Sequence, residues 1–287
     1  MAETLPDRTV RVGDVAYVAA MADADLSGFE RGTFTHEGKG RDVFRKGSGP
    51  AVIVIAEMPG ITPKVLGFAD RVVDAGFSVV LPHLFGVPGR DTPSKLGAIG
   101  AVMTAMIPTC VSREFVVLAT GRTSPVVDWL RALAAAEHER CGGPGVGAIG
   151  MCFTGGYALA MATEATMLAP VLSQPSLPMG KKGAYGIDIS PEDLEVVKGR
   201  CASEGLQVLG LRFKSDKFVP EKRFQFLHDQ LGDAFTCVEL ADADANPDAL
   251  IKPHSVLTEH FVDEPGSATH QALDQVLDLF RRKLVTA

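Results

Sequence analysis

Four residues of types that do chemistry stand where a folded chain could hold them together: Glu57, Cys152, Asp216 and His254. Cys152 lies in Gly150-Met151-Cys152-Phe153-Thr154-Gly155-Gly156, after an apolar run (Val146 to Ile149) and before the small-residue stretch Tyr157 to Ala162. A thiol on a sharp strand-to-helix turn is lifted out of a sheet and faces the N–H groups of a helix N-terminus, which favour negative charge. That environment suits a cysteine working as a thiolate. A thiolate attacking an acyl carbon needs a base, an orienter for the base and donors for the oxyanion. His254 and Asp216 fit the first two roles, in the chain order nucleophile, acid, histidine. The backbone N–H groups of Phe153 and Met58 fit the third, and Glu57 would point into the site beside the thiol. Each residue also has a plainer role open to it. Cys152 could be packed in a glycine-rich turn, Asp216 could cap the helix that follows it, and Glu57 could be a surface carboxylate.

These residues must be positioned by the elements around them. Ala51 to Ala56 is an unbroken apolar, β-branched run of strand length, as in a strand buried on both faces. Thr62-Pro63 then starts a helix through Asp74, with Thr62 as cap and Pro63 at its first position. Ser78 to Pro82 reads as the next strand. Ser124-Pro125 repeats the cap-then-proline start for a helix to about Glu139. Met167 to Val171, Gln207 to Phe213 and Ala234 to Leu240 read as further strands. Ser190 opens a capping box for a helix to about Ser203, Pro220 starts another, and Ala268 to Leu284 forms a closing amphipathic helix. Residues 9 to 20 and 31 to 46 read as short antiparallel edge strands. The alternation of strand and helix after residue 50 predicts an α/β chain with a mostly parallel, doubly wound sheet. Such sheets bind ligands beyond the carboxyl ends of their strands. Cys152, Asp216, the loop to His254, and Glu57 all fall at such ends.

The 287 residues are 46% hydrophobic and 22% charged, an ordinary globular composition read here as one domain, 1–287. Residues 87 to 123 fit no simple unit. A connection of that length reads as a lid or a pocket lining. The net charge of −7 argues against nucleic acid and membrane-surface partners. The N-terminus shows no apolar leader run, and no stretch reaches the roughly 18 apolar residues of a membrane span. Five widely spaced cysteines suggest neither a disulfide framework nor zinc pairs, and the expected compartment is the reducing cytoplasm. No metal-ligand spacing and no nucleotide loop are present, so no cofactor is expected.

Among the other histidines, His260 has the spacing of the outer face of a short helix, and His228 sits within an amphipathic helix. His36 and His138 look solvated. His83 ends a strand and could line the pocket rim.

With these residues in place, the sequence resembles the dienelactone hydrolases, enzymes of the α/β-hydrolase fold with a cysteine nucleophile. The resemblance spans roughly residues 40 to 285. It rests on Glu57-Met58-Pro59-Gly60, Leu81-Pro82-His83-Leu84-Phe85-Gly86, Gly150-Met151-Cys152, Asp216-Lys217-Phe218-Val219-Pro220 and His254-Ser255. It implies a hydrolase of an ester or lactone, with a small-molecule substrate. Cys152 would be the nucleophile, His254 the base and acid, Asp216 the orienter, and Glu57 the carboxylate that engages the resting thiol. Two departures stand out. Thr154 occupies the elbow position where the family usually has glycine. Ser255-Val256-Leu257-Thr258-Glu259 lacks the arginine that would bind a substrate carboxylate, a role left to Arg113 or Arg122.

Cysteine also narrows the substrate. A thiolate leaves readily, so the tetrahedral intermediate tends to collapse backwards unless the substrate's own leaving group is an enolate, phenolate or other activated alkoxide. Two other readings stay open. One is a hydrolase-like binding protein made inactive at Thr154. The other is a glutamine amidotransferase, although His254-Ser255-Val256 lacks the His-x-Glu that such an enzyme wants.

Overall fold

The computed structural model describes residues 26–91, 95–180, 183–249 and 251–285. The strand expected over residues 9 to 20 lies outside them. Eight strands form one sheet: β1 (Glu30–His36), β2 (Lys39–Lys46), β3 (Ala51–Ile55), β4 (Ser78–Pro82), β5 (Val146–Met151), β6 (Met167–Ser173), β7 (Val208–Phe213) and β8 (Phe235–Leu240). Their order across the sheet is β1-β2-β4-β3-β5-β6-β7-β8. The β1–β2 hairpin is antiparallel and β2 runs antiparallel to β4; the other pairs are parallel.

Both faces are covered, which explains the unbroken apolar strands. In β3, Ala51, Ile53 and Ile55 enter one core while Val52 and Val54 enter the other. The first core is closed by α3 (Val126–Cys141), the short α4 (Tyr157–Met161), α5 (Pro191–Glu204) and α6 (Glu221–Leu231). The second is closed by α1 (Pro63–Asp74) and α7 (Ala268–Leu284). A side chain from either set loses about 1.5–3 kcal/mol of favourable burial if it is returned to water.

The caps explain where several helices start. Thr62 accepts a hydrogen bond from Val65 N with Pro63 at the first position, and Ser190 accepts one from Asp193 N. Ser124 departs from the expectation. Its hydroxyl accepts from Val116 N and donates to buried Asp188, so α3 starts without a side-chain cap. The 87–123 segment also departs from it, because it contains a helix, α2 (Lys95–Val111). Gly97, Gly100 and Pro108 hide that helix from a propensity reading, and Leu96, Ile99, Met103, Ile107 and Val111 on it are exposed.

Candidate active site

β5 delivers Cys152 to a turn that only a strained backbone can make. Cys152 has φ +52°, a left-handed conformation that non-glycine residues hold only when their surroundings enforce it. The enforcement is close packing. A Cβ on Gly150 would lie 2.1 Å from the Thr154 carbonyl oxygen. Thr154 fits because its buried hydroxyl is used: Oγ1 accepts from Met151 N at 3.0 Å and lies 2.9 Å from the Ile55 carbonyl oxygen as its donor. Room for the β-branched residue is therefore made by bonding it to the end of β3.

β7 delivers Asp216, and the loop after β8 delivers His254. His254 Nδ1–H donates to Asp216 Oδ2 at 2.6 Å, with both residues buried. The helix after Asp216 begins at Glu221 with Pro220 at its cap position, so Asp216 is not its cap; the Asp216 Oδ1 accepts from Phe218 N at 2.9 Å. Burial acts to lower the His254 pKa. The adjoining Cys152 and Asp216 outweigh it and hold the imidazole well above its ordinary value. A His254 ring nitrogen, Cys152 Sγ and a Glu57 carboxylate oxygen lie within 4.8 Å of one another.

Glu57 follows β3 and is buried. Its hydrogen bonds go elsewhere than to the thiol. Oε2 accepts from Ser255 Oγ at 2.6 Å and from Gln174 Nε2 at 3.1 Å, and Oε1 accepts from Thr258 Oγ1. The carboxylate thus fastens the His254 loop to β3 and to the loop after β6. Cys152 Sγ hydrogen bonds instead with Ser176 Oγ, at 3.4 Å.

Met58 stands beside Glu57 in a tight turn closed by Gly60 N–H to the Glu57 carbonyl at 2.7 Å. That turn locks against the one after β4. A Cβ on Gly86 (φ +79°) would lie 1.9 Å from the Pro59 carbonyl oxygen. Phe153, next to the cysteine, is buried against Phe85 and Phe115. His83 closes its own turn, with Nε2 3.1 Å from the Gly86 carbonyl oxygen. Arg113 and Arg122 are exposed.

A cavity of about 480 Å³ lies between the Met58-Pro59-Gly60 turn, the turn after β4, and α2. Pro59, Leu84, Phe85, Ala105, Pro108 and Phe115 give it apolar walls, and Arg90 is its lining arginine. Neither Arg113 nor Arg122 borders it.

Three supporting residues escape a sequence reading. Ser176 and Gln174 lie in the polar loop at the carboxyl end of β6, and their location at a strand end is the signal that could have found them. Arg223 is buried on α6 and donates to the carbonyls of Gly186, Pro175, Phe218, Pro178 and Gly183, pinning the loop that carries Ser176. Burial lowers its pKa to about 10 although Asp216 acts the other way. His260 is not on an outer face but buried beneath the His254 loop. Its Nδ1 accepts from Ser255 N at 3.1 Å and its Nε2–H donates to the Ile251 carbonyl at 3.1 Å.

Residues 41–179 match the model of the dienelactone hydrolase family. That match covers just under half of the chain. The matched segment holds Glu57, Cys152 and Ser176 and ends before Asp216 and His254. A dienelactone hydrolase-like promiscuous phosphotriesterase from metagenomic libraries superposes with a TM-score of 0.59 at 16% identity, over 90% of this chain and 98% of its own. A Klebsiella pneumoniae protein assigned to the dienelactone hydrolases gives 0.58 at 16%, over 88% and 99%. A 2,6-dihydroxy-pseudo-oxynicotine hydrolase gives 0.56 at 16%, over 98% and 78%. These likenesses establish the fold, the α/β-hydrolase arrangement. Comparison with curated protein sequences finds no match. Among the described residues, no helix is long and apolar enough to cross a membrane.

Proposed function

We propose that this chain is a member of the dienelactone hydrolase family and cleaves an ester or lactone through Cys152, His254 and Asp216. The observation that carries the reading is the place of His254. It sits between a buried carboxylate at 2.6 Å and the thiol of a residue held at φ +52° on a strand-to-helix turn.

Cys152 Sγ attacks the acyl carbon, and the negative charge on the carbonyl oxygen meets the N–H groups of Met58 and Phe153. The bond to the leaving oxygen breaks, and His254 gives that oxygen its proton. The acyl group is then a thioester on Cys152. His254 next takes a proton from water, whose oxygen attacks the thioester and releases the acid. Asp216 fixes the ring orientation and supports its positive charge. Glu57 stands beside the sulfur and anchors the loop carrying His254.

The leaving-group argument favours enol-lactones and aryl esters over amides. The cavity under α2 adjoins the Met58 turn and would take the rest of the substrate, with the 87–123 segment as its wall. Arg90, which lines that cavity where Arg113 and Arg122 do not, would meet a substrate carboxylate there.

The test is a panel of aryl esters, enol-lactones and simple amides, assayed with the native protein and with Cys152→Ala. Loss of ester and lactone turnover in the variant is expected. Unchanged turnover would remove the reading, and a preference for amides would remove the leaving-group argument.

A further inference from the structure

Glu57, Cys152 and His254 come from three distant parts of the chain, so no local spacing could announce what they make together. A carboxylate oxygen, a sulfur and a ring nitrogen, all within 4.8 Å of one another, form a donor set suited to zinc. The outer contacts are also of the right kind. Asp216 holds the Nδ1 side of His254 at 2.6 Å, as the carboxylate partner of a metal-bound imidazole does. Ser255, Thr258 and Gln174 hold the Glu57 carboxylate.

We propose that Glu57, Cys152 and His254 form a Zn²⁺ site, and that zinc held there switches the hydrolase off by capping the Cys152 sulfur. The switch rests on the nucleophile role given to Cys152 above; the site does not.

The distances allow it. Zinc bonds of about 2.0 Å to nitrogen and oxygen and about 2.3 Å to sulfur put tetrahedral ligand atoms roughly 3.3–3.5 Å apart in a set with one sulfur. No two of the three atoms lie more than 4.8 Å apart, so the widest pair must close by about 1.5 Å at most. Part of that closure falls to the Cys152 side chain, whose contact with Ser176 Oγ is 3.4 Å long. Three protein donors leave one position for water or an anion, as in open zinc sites. No electrons are transferred. The proton that Cys152 and His254 hold between them leaves to solvent as the sulfur and the neutral imidazole bind the ion. The sulfur lone pair that would attack an acyl carbon is then occupied.

The test uses the full, tag-free chain, stripped with a chelator and titrated with zinc chloride against a colorimetric zinc indicator, with aryl-ester hydrolysis followed in parallel. One equivalent should bind, hydrolysis should fall in the same proportion, and EDTA should restore it. Cys152→Ser should weaken binding about 100-fold and Glu57→Gln or Asp216→Asn about tenfold or more, whereas Cys237→Ser, at an exposed cysteine, should change nothing. Cobalt in place of zinc should give a thiolate-to-metal absorption band that Cys152→Ser abolishes, a readout on the native fold. Absence of binding, binding unaltered in Cys152→Ser, or full activity with zinc bound would overturn the proposal. Hydrolysis that persists in Cys152→Ala would instead overturn the hydrolase reading, and the titration would still decide the zinc site.

Discussion

Thr154 Oγ1 lies 2.9 Å from the carbonyl oxygen of Ile55 and 3.0 Å from the amide nitrogen of Met151. One hydroxyl therefore joins the turn beneath Cys152 to the end of the strand that leads to Glu57 and Met58. A residue that first reads as an obstacle in the elbow is the tie between the turn of Cys152 and the turn of Met58. Thr154→Val keeps the shape and removes the tie, leaving buried polar groups unpaired at a cost of about 1–3 kcal/mol. Thr154→Ser should retain most of the stability. Urea unfolding of the two variants checks this, and kcat for an aryl ester should fall further in the valine variant than in the serine variant.

Asp216→Asn keeps the size of the orienter and removes its charge. The rate should fall about 10²–10⁴-fold. His254 is held above its ordinary pKa by Cys152 and Asp216 against the effect of burial. A raised folded value gives stabilisation that is present below the unfolded pKa and is lost as pH rises through the folded one. Removing the Asp216 charge should bring that alkaline loss to lower pH. Activity and thermal unfolding, each measured against pH in both proteins, check the shift.

His260 titrates in the opposite sense. Burial, partly offset by its bond to the Ile251 carbonyl, lowers its pKa. Its Nδ1 must stay unprotonated to accept the Ser255 N–H. The resulting stabilisation is complete above the usual histidine pKa of about 6.5 and is lost as pH falls through the lower folded value. Hydrogen exchange in residues 251–260 should quicken on acidification in the native protein. His260→Gln should exchange faster at neutral pH and respond less to acid.

Asp188 provides a separate pH effect. Burial raises its pKa to about 7, outweighing the hydrogen bonds from Ser124, and its Oδ1 lacks a partner among the described residues. The folded state thus favours the protonated acid, and stability should fall as pH rises from about 4 to 7. Asp188→Asn should melt above the native protein at pH 8 and close to it at pH 5, as read by calorimetry.

The legible parts of the sequence are those written locally. The apolar runs of β3 to β7, the Thr62-Pro63 and Ser190-Pro191 starts, and the glycines around Cys152 each encode their own element. The order Cys152, Asp216, His254 then places three side chains at strand ends. The unread parts depend on contacts between distant segments. Ser255 and Thr258 meet Glu57 from about 200 residues away along the chain. His260 has a surface residue's spacing, but the loop folds over it. Helix α2 carries glycines and a proline, and its Leu96, Ile99, Met103, Ile107 and Val111 side chains face outward, so neither propensity nor pattern marks it.

The most direct measurement is intact-protein mass spectrometry of the chain mixed briefly with an activated aryl ester and quenched in acid. The expected result is a mass increase of one acyl group, mapped to the peptide holding Cys152, released by hydroxylamine and absent from Cys152→Ala. Ester turnover that leaves Cys152 unmodified at every time point, and that continues in Cys152→Ala, would contradict the account.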